Sequence, residues 1–90
     1  MTADRVAMIQ ERLEAALEPV SLEIVDESHL HVGHAGARDG RGHFRARIVS
    51  DRFDGLPRLA RHRLVYQALG ELMTTDIHAL NIESISRNEL

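Results

Sequence analysis

Histidine and arginine carry most of the chemistry that this sequence can do. Six histidines occur among 90 residues, and three of them fall in Ser28-His29-Leu30-His31-Val32-Gly33-His34. There is no cysteine, so the chain can form neither a disulfide nor a thiolate metal site of its own. Neutral imidazole is a softer ligand than carboxylate and suits iron, whereas a protonated histidine cannot ligate. His31 and His34 form a His-x-x-His pair. In a loop, without a defined helix or turn, that pair is a poor metal motif and reads more simply as solvated side chains that bind stray transition metals weakly. His29 alternates away from the apolar positions and is expected to be exposed. His78 shares a predicted strand face with Leu80 and Ile82, where a histidine is ordinarily a core residue satisfied by a backbone carbonyl. His43 precedes the predicted core residue Phe44, which suggests a structural role in tying a hairpin loop back to the sheet.

All 11 basic residues are arginines, against 14 acidic ones, for a net charge of −3. Guanidinium is a planar fork suited to carboxylates and phosphates. The cluster Arg58, Arg61, His62 and Arg63 therefore has three readings: a solvated helix face, a surface for carboxylates on a partner, or a phosphate contact. The acidic balance argues against strong non-specific nucleic-acid binding. Gly33-His34-Ala35-Gly36 matches the Gly-x-x-Gly pattern of KH domains, but it falls between two strands, where a class II KH domain needs it between helices. One tyrosine and two phenylalanines leave little scope for base stacking. No Ser-His-Asp order, phosphate loop or His-Glu-x-x-His motif is present, so neither an enzyme nor a small-molecule substrate is expected. The N-terminus lacks a signal-peptide pattern, and no apolar stretch approaches the roughly 20 residues of a membrane span. A cytoplasmic protein without membrane association is the expectation.

These residues must be positioned by a single small domain. Val6, Ile9, Leu13 and Leu17 recur at helical spacing, with Thr2 as a candidate N-cap and Pro19 setting the end. Leu22 and Ile24 alternate with polar neighbours in a strand running to about Glu27. A glycine-rich loop from His29 to Gly42 follows, and loops of this length are more often functional than short ones. Phe44, Ala46 and Ile48 mark a second strand from His43 to Ser50, forming a hairpin with the first. After a short turn at Arg52–Pro57, a longer helix begins near Arg58. Its buried stripe is Val65, Ala68, Leu69 and Leu72, and its other face carries Arg61, Arg63, Gln67 and Glu71. Thr74-Thr75-Asp76 breaks it, and Ile77 to Ile85 alternates as a third strand. The expected core spans about residues 4–85, and residues 86–90 read as a frayed tail. The order α-β-β-α-α-β is most simply packed as an α+β domain, with helices on one face of a three-stranded sheet.

Three stretches resemble the signatures of the BolA family, and in that family's order. They are Asp26 to Gly36; His43-Phe44 through Ser50-Asp51-Arg52-Phe53-Asp54-Gly55-Leu56 into Arg61-His62-Arg63-Leu64-Val65-Tyr66; and Ile77-His78-Ala79-Leu80-Asn81-Ile82. The resemblance covers about residues 6–83 and implies a class II KH-like fold. It also implies partnership with a monothiol glutaredoxin. In such complexes a [2Fe–2S] cluster is held by the glutaredoxin cysteine, a glutathione thiolate and ligands from the BolA chain. The ligand at the start of the last strand is matched here by His78. The loop ligand is matched by His31, with His34 as a close competitor. Two imidazoles can replace two thiolates on one iron, and a chain without cysteine would share a cluster but bind none tightly alone. The alternative implied by the same fold is a nucleic-acid-binding transcriptional regulator. It would use Arg58, Arg61 and Arg63 on a helix-turn-helix-like stretch from Arg52 to Leu72, and would bind DNA or RNA weakly.

Overall fold

A computed structural model describes residues 4–28 and 41–90. Helix α1 (Arg5–Leu17) begins at Asp4, whose carboxylate accepts from the Ala7 N–H. The cap is thus Asp4; Thr2 lies outside the described residues. Glu18 ends the helix in the left-handed region; it leaves the right-handed helical geometry that Pro19 disfavours, without taking the extended geometry a proline usually imposes on its predecessor. Ile9, Leu13 and Leu17 are buried, as their spacing predicts. Strand β1 (Ser21–Asp26) pairs antiparallel with β2 (Gly42–Val49), with Leu22 opposite Ile48 and Ile24 opposite Ala46. β2 then pairs in parallel with β3 (Ile77–Ile85), a pairing that requires a crossover. Helices α2 (Arg58–Leu69) and α3 (Leu72–Thr75) supply it. The sheet order is β1-β2-β3.

One core lies between the sheet and the helices. Phe44, Ala46 and Ile48 pack with Ile9, Leu13, Phe53, Val65, Leu69, Leu72 and Ile77, and Leu80 and Ile82 extend the sheet face. On the opposite face, Arg45 pairs with Glu27 and Arg47 with Glu83. The described helices therefore cover one side of the sheet, as expected.

Three expectations change. The stretch from Arg52 to Leu72 is not a helix-turn-helix. Its first part is a single 3-10 turn (Asp51–Phe53), and α3 is only four residues long; that motif needs two full helices. Arg61 does not lie on a solvated face. It continues the buried stripe Arg61, Val65, Leu69, because positions i, i+4 and i+8 share one side of a helix. The tail is not frayed either. Residues Arg87–Glu89 form a 3-10 turn capped reciprocally by Ser86 and Glu89, and Ser86 is buried with a hydrogen bond to Asp54. The Glu89 carboxylate receives both terminal nitrogens of Arg61, at 2.7 and 2.9 Å. A buried guanidinium needs such a partner, and the tail provides it.

Gly42, at the start of β2, has no room for a side chain. A Cβ there would lie 2.7 Å from both the Phe44 ring and Ser28 Oγ. Gly42→Ala is expected to lower stability by about 1–3 kcal/mol through overpacking, as measured by urea unfolding.

Candidate functional site

The start of β3 is held from two sides. The Asp76 side chain takes a 3.1 Å hydrogen bond from Arg5 Nε on α1, and its carbonyl accepts from Gly42 N at 2.9 Å. The Thr75 hydroxyl first, and then Arg5, hold the Asp76 carboxyl below its usual value of 3.8. Across the sheet, His43 N donates to Ser28 Oγ and His43 O accepts from Glu27 N. The tie-back expected of His43 is thus made by its backbone.

The pairing of β2 with β3 slips between Gly42 and His43. Gly42 faces Ile77 but His43 faces Ala79, which leaves His78 as the extra residue. A bulge bends the strand and re-aims its side chains. Ile77 consequently stays buried while His78 is exposed, although alternation placed His78 with Leu80 and Ile82 on the apolar face. His78 is not a core histidine. Its ring lies against His43, with centroids 5.1 Å apart and planes tilted by 47°. Arg41 Nη2 lies 3.2 Å from His78 Nδ1. Two imidazoles and a guanidinium thus meet at the end of the sheet.

His29, His31 and His34 lie outside the described residues. Ser28 and Arg41, which bracket that segment, both join the arrangement just described. Among the described residues no group of three or more His, Cys, Asp or Glu is placed to hold a metal ion. This end of the sheet offers imidazole from His78 and His43, and the sequence has no cysteine to add a thiolate. Sequence reasoning did not find the His43 ring or Arg41 as neighbours of His78. A register slip between strands leaves no local pattern that would have signalled them.

The arginine cluster separates. Arg58 and Arg63 are exposed, whereas Arg61 is buried and paired with Glu89. His62 lines a groove of about 550 Å³ between α2 and β3, together with Arg45, Arg58, Tyr66, Asn81 and Glu83. Its Nε2 is buried and has no hydrogen-bond partner among the described residues. No described helix is long and apolar enough to cross a membrane.

The fold and this sheet-end site define a small α+β domain that displays histidine at a strand bulge. Residues 13–89 match the family model of BolA-like proteins, and the chain belongs to the BolA family. It is 44% identical over 89 residues to the chloroplastic BOLA1 of Arabidopsis thaliana, covering 96% of this chain and 56% of that protein. It is 47% identical over 79 residues to the SufE-like protein 1 of the same plant, covering 82% of this chain and 21% of that protein. It is 44% identical over 81 residues to the DNA-binding transcriptional regulator BolA of Escherichia coli, covering 90% and 74%. The chain thus spans little more than half of one plant relative and a fifth of the other. The solved BolA domain of SufE1 from Arabidopsis thaliana superposes with a TM-score of 0.86 at 39% identity, over the whole of both chains.

Proposed function

We propose that this protein partners a monothiol glutaredoxin and lends histidine to a shared [2Fe–2S] cluster, in iron–sulfur trafficking or iron homeostasis. The observation that carries this reading is His78, turned outward by a bulge and braced by the His43 ring. A ligand on a strand is held by the sheet, so little of its freedom remains to be lost on binding. The cluster is cargo shared at the interface. This chain's part is to present imidazole, while the glutaredoxin cysteine and glutathione bring the thiolates. In this reading His31, or His34 in its place, supplies the second imidazole.

The test is to mix the chain with a monothiol glutaredoxin and glutathione under anaerobic reconstitution. Size exclusion and titration calorimetry should show a 1:1 complex with and without cluster, formed through α2 and β3. Visible circular dichroism should differ from that of the glutaredoxin alone. The chain by itself should take up no cluster. No interaction at concentrations on the order of 10 μM, apo or loaded, defeats the proposal.

The groove between α2 and β3 supports a second reading, nucleic-acid binding, consistent with the name of the bacterial relative. With Arg61 occupied by Glu89, Arg58 and Arg63 are the α2 arginines left for phosphates. Binding should be weak, and the slope of log K against log salt should be about −2 for two phosphate contacts. Replacing Arg58 and Arg63 together should remove it in a filter-binding or anisotropy titration. A sequence-specific complex with Kd on the order of 1 nM at physiological salt would put this reading first.

A further inference from the structure

We infer that Arg41 is a displaceable latch on His78, and that it must leave the ring before either nitrogen can take a metal. The inference rests on the reading of His78 as a ligand. Arginine has only donors, so in the 3.2 Å contact between Arg41 Nη2 and His78 Nδ1 the imidazole nitrogen is the acceptor. A neutral imidazole has one lone pair available in the ring plane. With Nδ1 accepting, the proton sits on Nε2, and the lone pair a metal would need already faces the guanidinium. Ligation through Nδ1 displaces Arg41 directly. Ligation through Nε2 requires the proton to move to Nδ1, which would then point at a group that cannot accept it. Both routes break the same contact.

Geometry supports a built arrangement. Arg41 Nη1 also reaches the Thr74 carbonyl, at 3.5 Å, so the guanidinium spans from the end of α3 to the ring. The His43 ring flanks His78. Arg41 stands next to Gly42, whose N–H is fixed to the Asp76 carbonyl. The latch therefore sits where the 29–40 segment rejoins the sheet. Anything that repositions that junction, such as a docking partner, also bears on whether His78 is available. Ligation and partner docking would be coupled through one arginine.

The test uses the chain alone, without glutaredoxin or cluster, so that its failure is distinct from failure of the partnership. Nitrogen-15 spectra of the His78 ring at about pH 8.5, above the imidazole range, should show Nε2 protonated and Nδ1 shifted upfield by its hydrogen bond. Arg41→Ala should move Nδ1 downfield. Zn(II), titrated as a probe and read at the His78 ring resonances in a His29→Ala, His31→Ala, His34→Ala background, should bind about fivefold more tightly when Arg41 is also alanine. That is the factor for releasing one hydrogen bond of about 1 kcal/mol. The gain should persist in 1 M KCl, where the Debye length is about 3 Å. A proton on Nδ1 in the parent chain overturns the inference, as does an Nδ1 resonance that ignores Arg41→Ala. A gain that vanishes in high salt also overturns it, because Arg41 would then act only as a repelling charge.

Discussion

His78→Ala should abolish the distinctive visible spectrum of the mixed glutaredoxin complex while leaving the fold unchanged. Because the ring is exposed on a bulge, its removal opens no core cavity. The change in unfolding free energy should stay within about 0.5 kcal/mol. Neither other described histidine can replace it without moving a whole element, since His43 is fixed in β2 and His62 in α2. His31→Ala should weaken or alter the spectrum and leave partial binding, with His34 as the substitute. His31→Ala with His34→Ala should match His78→Ala. Visible absorption and circular dichroism of each variant with cluster-loaded glutaredoxin make the comparison, with far-ultraviolet spectra as the folding control. A folded His78→Ala variant with the wild-type spectrum would show that the ligand assignment is wrong.

The largest loss of stability from a single polar change should come from Arg61→Ala. Its guanidinium donates to the Leu56 and Ser84 carbonyls at 2.8 and 3.1 Å, and to both oxygens of Glu89. It also lies 5.9 Å from the centre of the buried Phe53 ring. Alanine removes all of these and unpins the C-terminal turn. We expect a cost of about 2–3 kcal/mol, or about 10–20 °C in Tm for a domain of this size. Arg63→Ala, two residues on but exposed, should cost no more than about 0.5 kcal/mol. Arg61→Lys should not restore stability, because an ammonium cannot engage both carboxylate oxygens as a planar fork. The pair also sets an acid response. The Arg61 hydrogen bonds, and then the Ser86 N–H, hold the Glu89 carboxyl down at about 2 from its ordinary 4.5. A depressed acid contributes stability that is present above its unfolded value and lost as pH falls through its folded one. Stability should therefore decline between pH 4.5 and about 2, and Glu89→Gln should flatten that part of the curve in chemical denaturation at each pH.

Local spacing accounts for most of the agreement between sequence and structure. Leu13 and Leu17, or Phe44, Ala46 and Ile48, declare their faces because a helix repeats at 3.6 residues and a strand at 2. Both periods survive wherever the chain is regular. The errors fall where a residue's surroundings come from distant parts of the chain. Arg61 looked solvated because a charge is normally exposed. Its meeting with Glu89, 28 residues away, together with the Leu56 and Ser84 carbonyls, makes its burial tolerable. The tail looked frayed because five polar and apolar residues have no period, yet Ser86 meets Asp54 and Glu89 meets Arg61 across the fold.

The histidine site divides along the same line. By itself the amino-acid sequence determined the element order, the core stripes, the lack of any thiol and the resemblance carried by three motifs. Those follow from residue types and short-range spacing, which need no folding to be read. Tertiary structure decided that β3 pairs in parallel with β2 and slips by one residue at Gly42. It also decided that His78 turns outward, that the His43 ring lies beside it, and that Arg41 caps its nitrogen. Strand register is a negotiation between two segments separated by a helical crossover, and one extra residue reverses which way a side chain points. No pattern within either strand records that outcome.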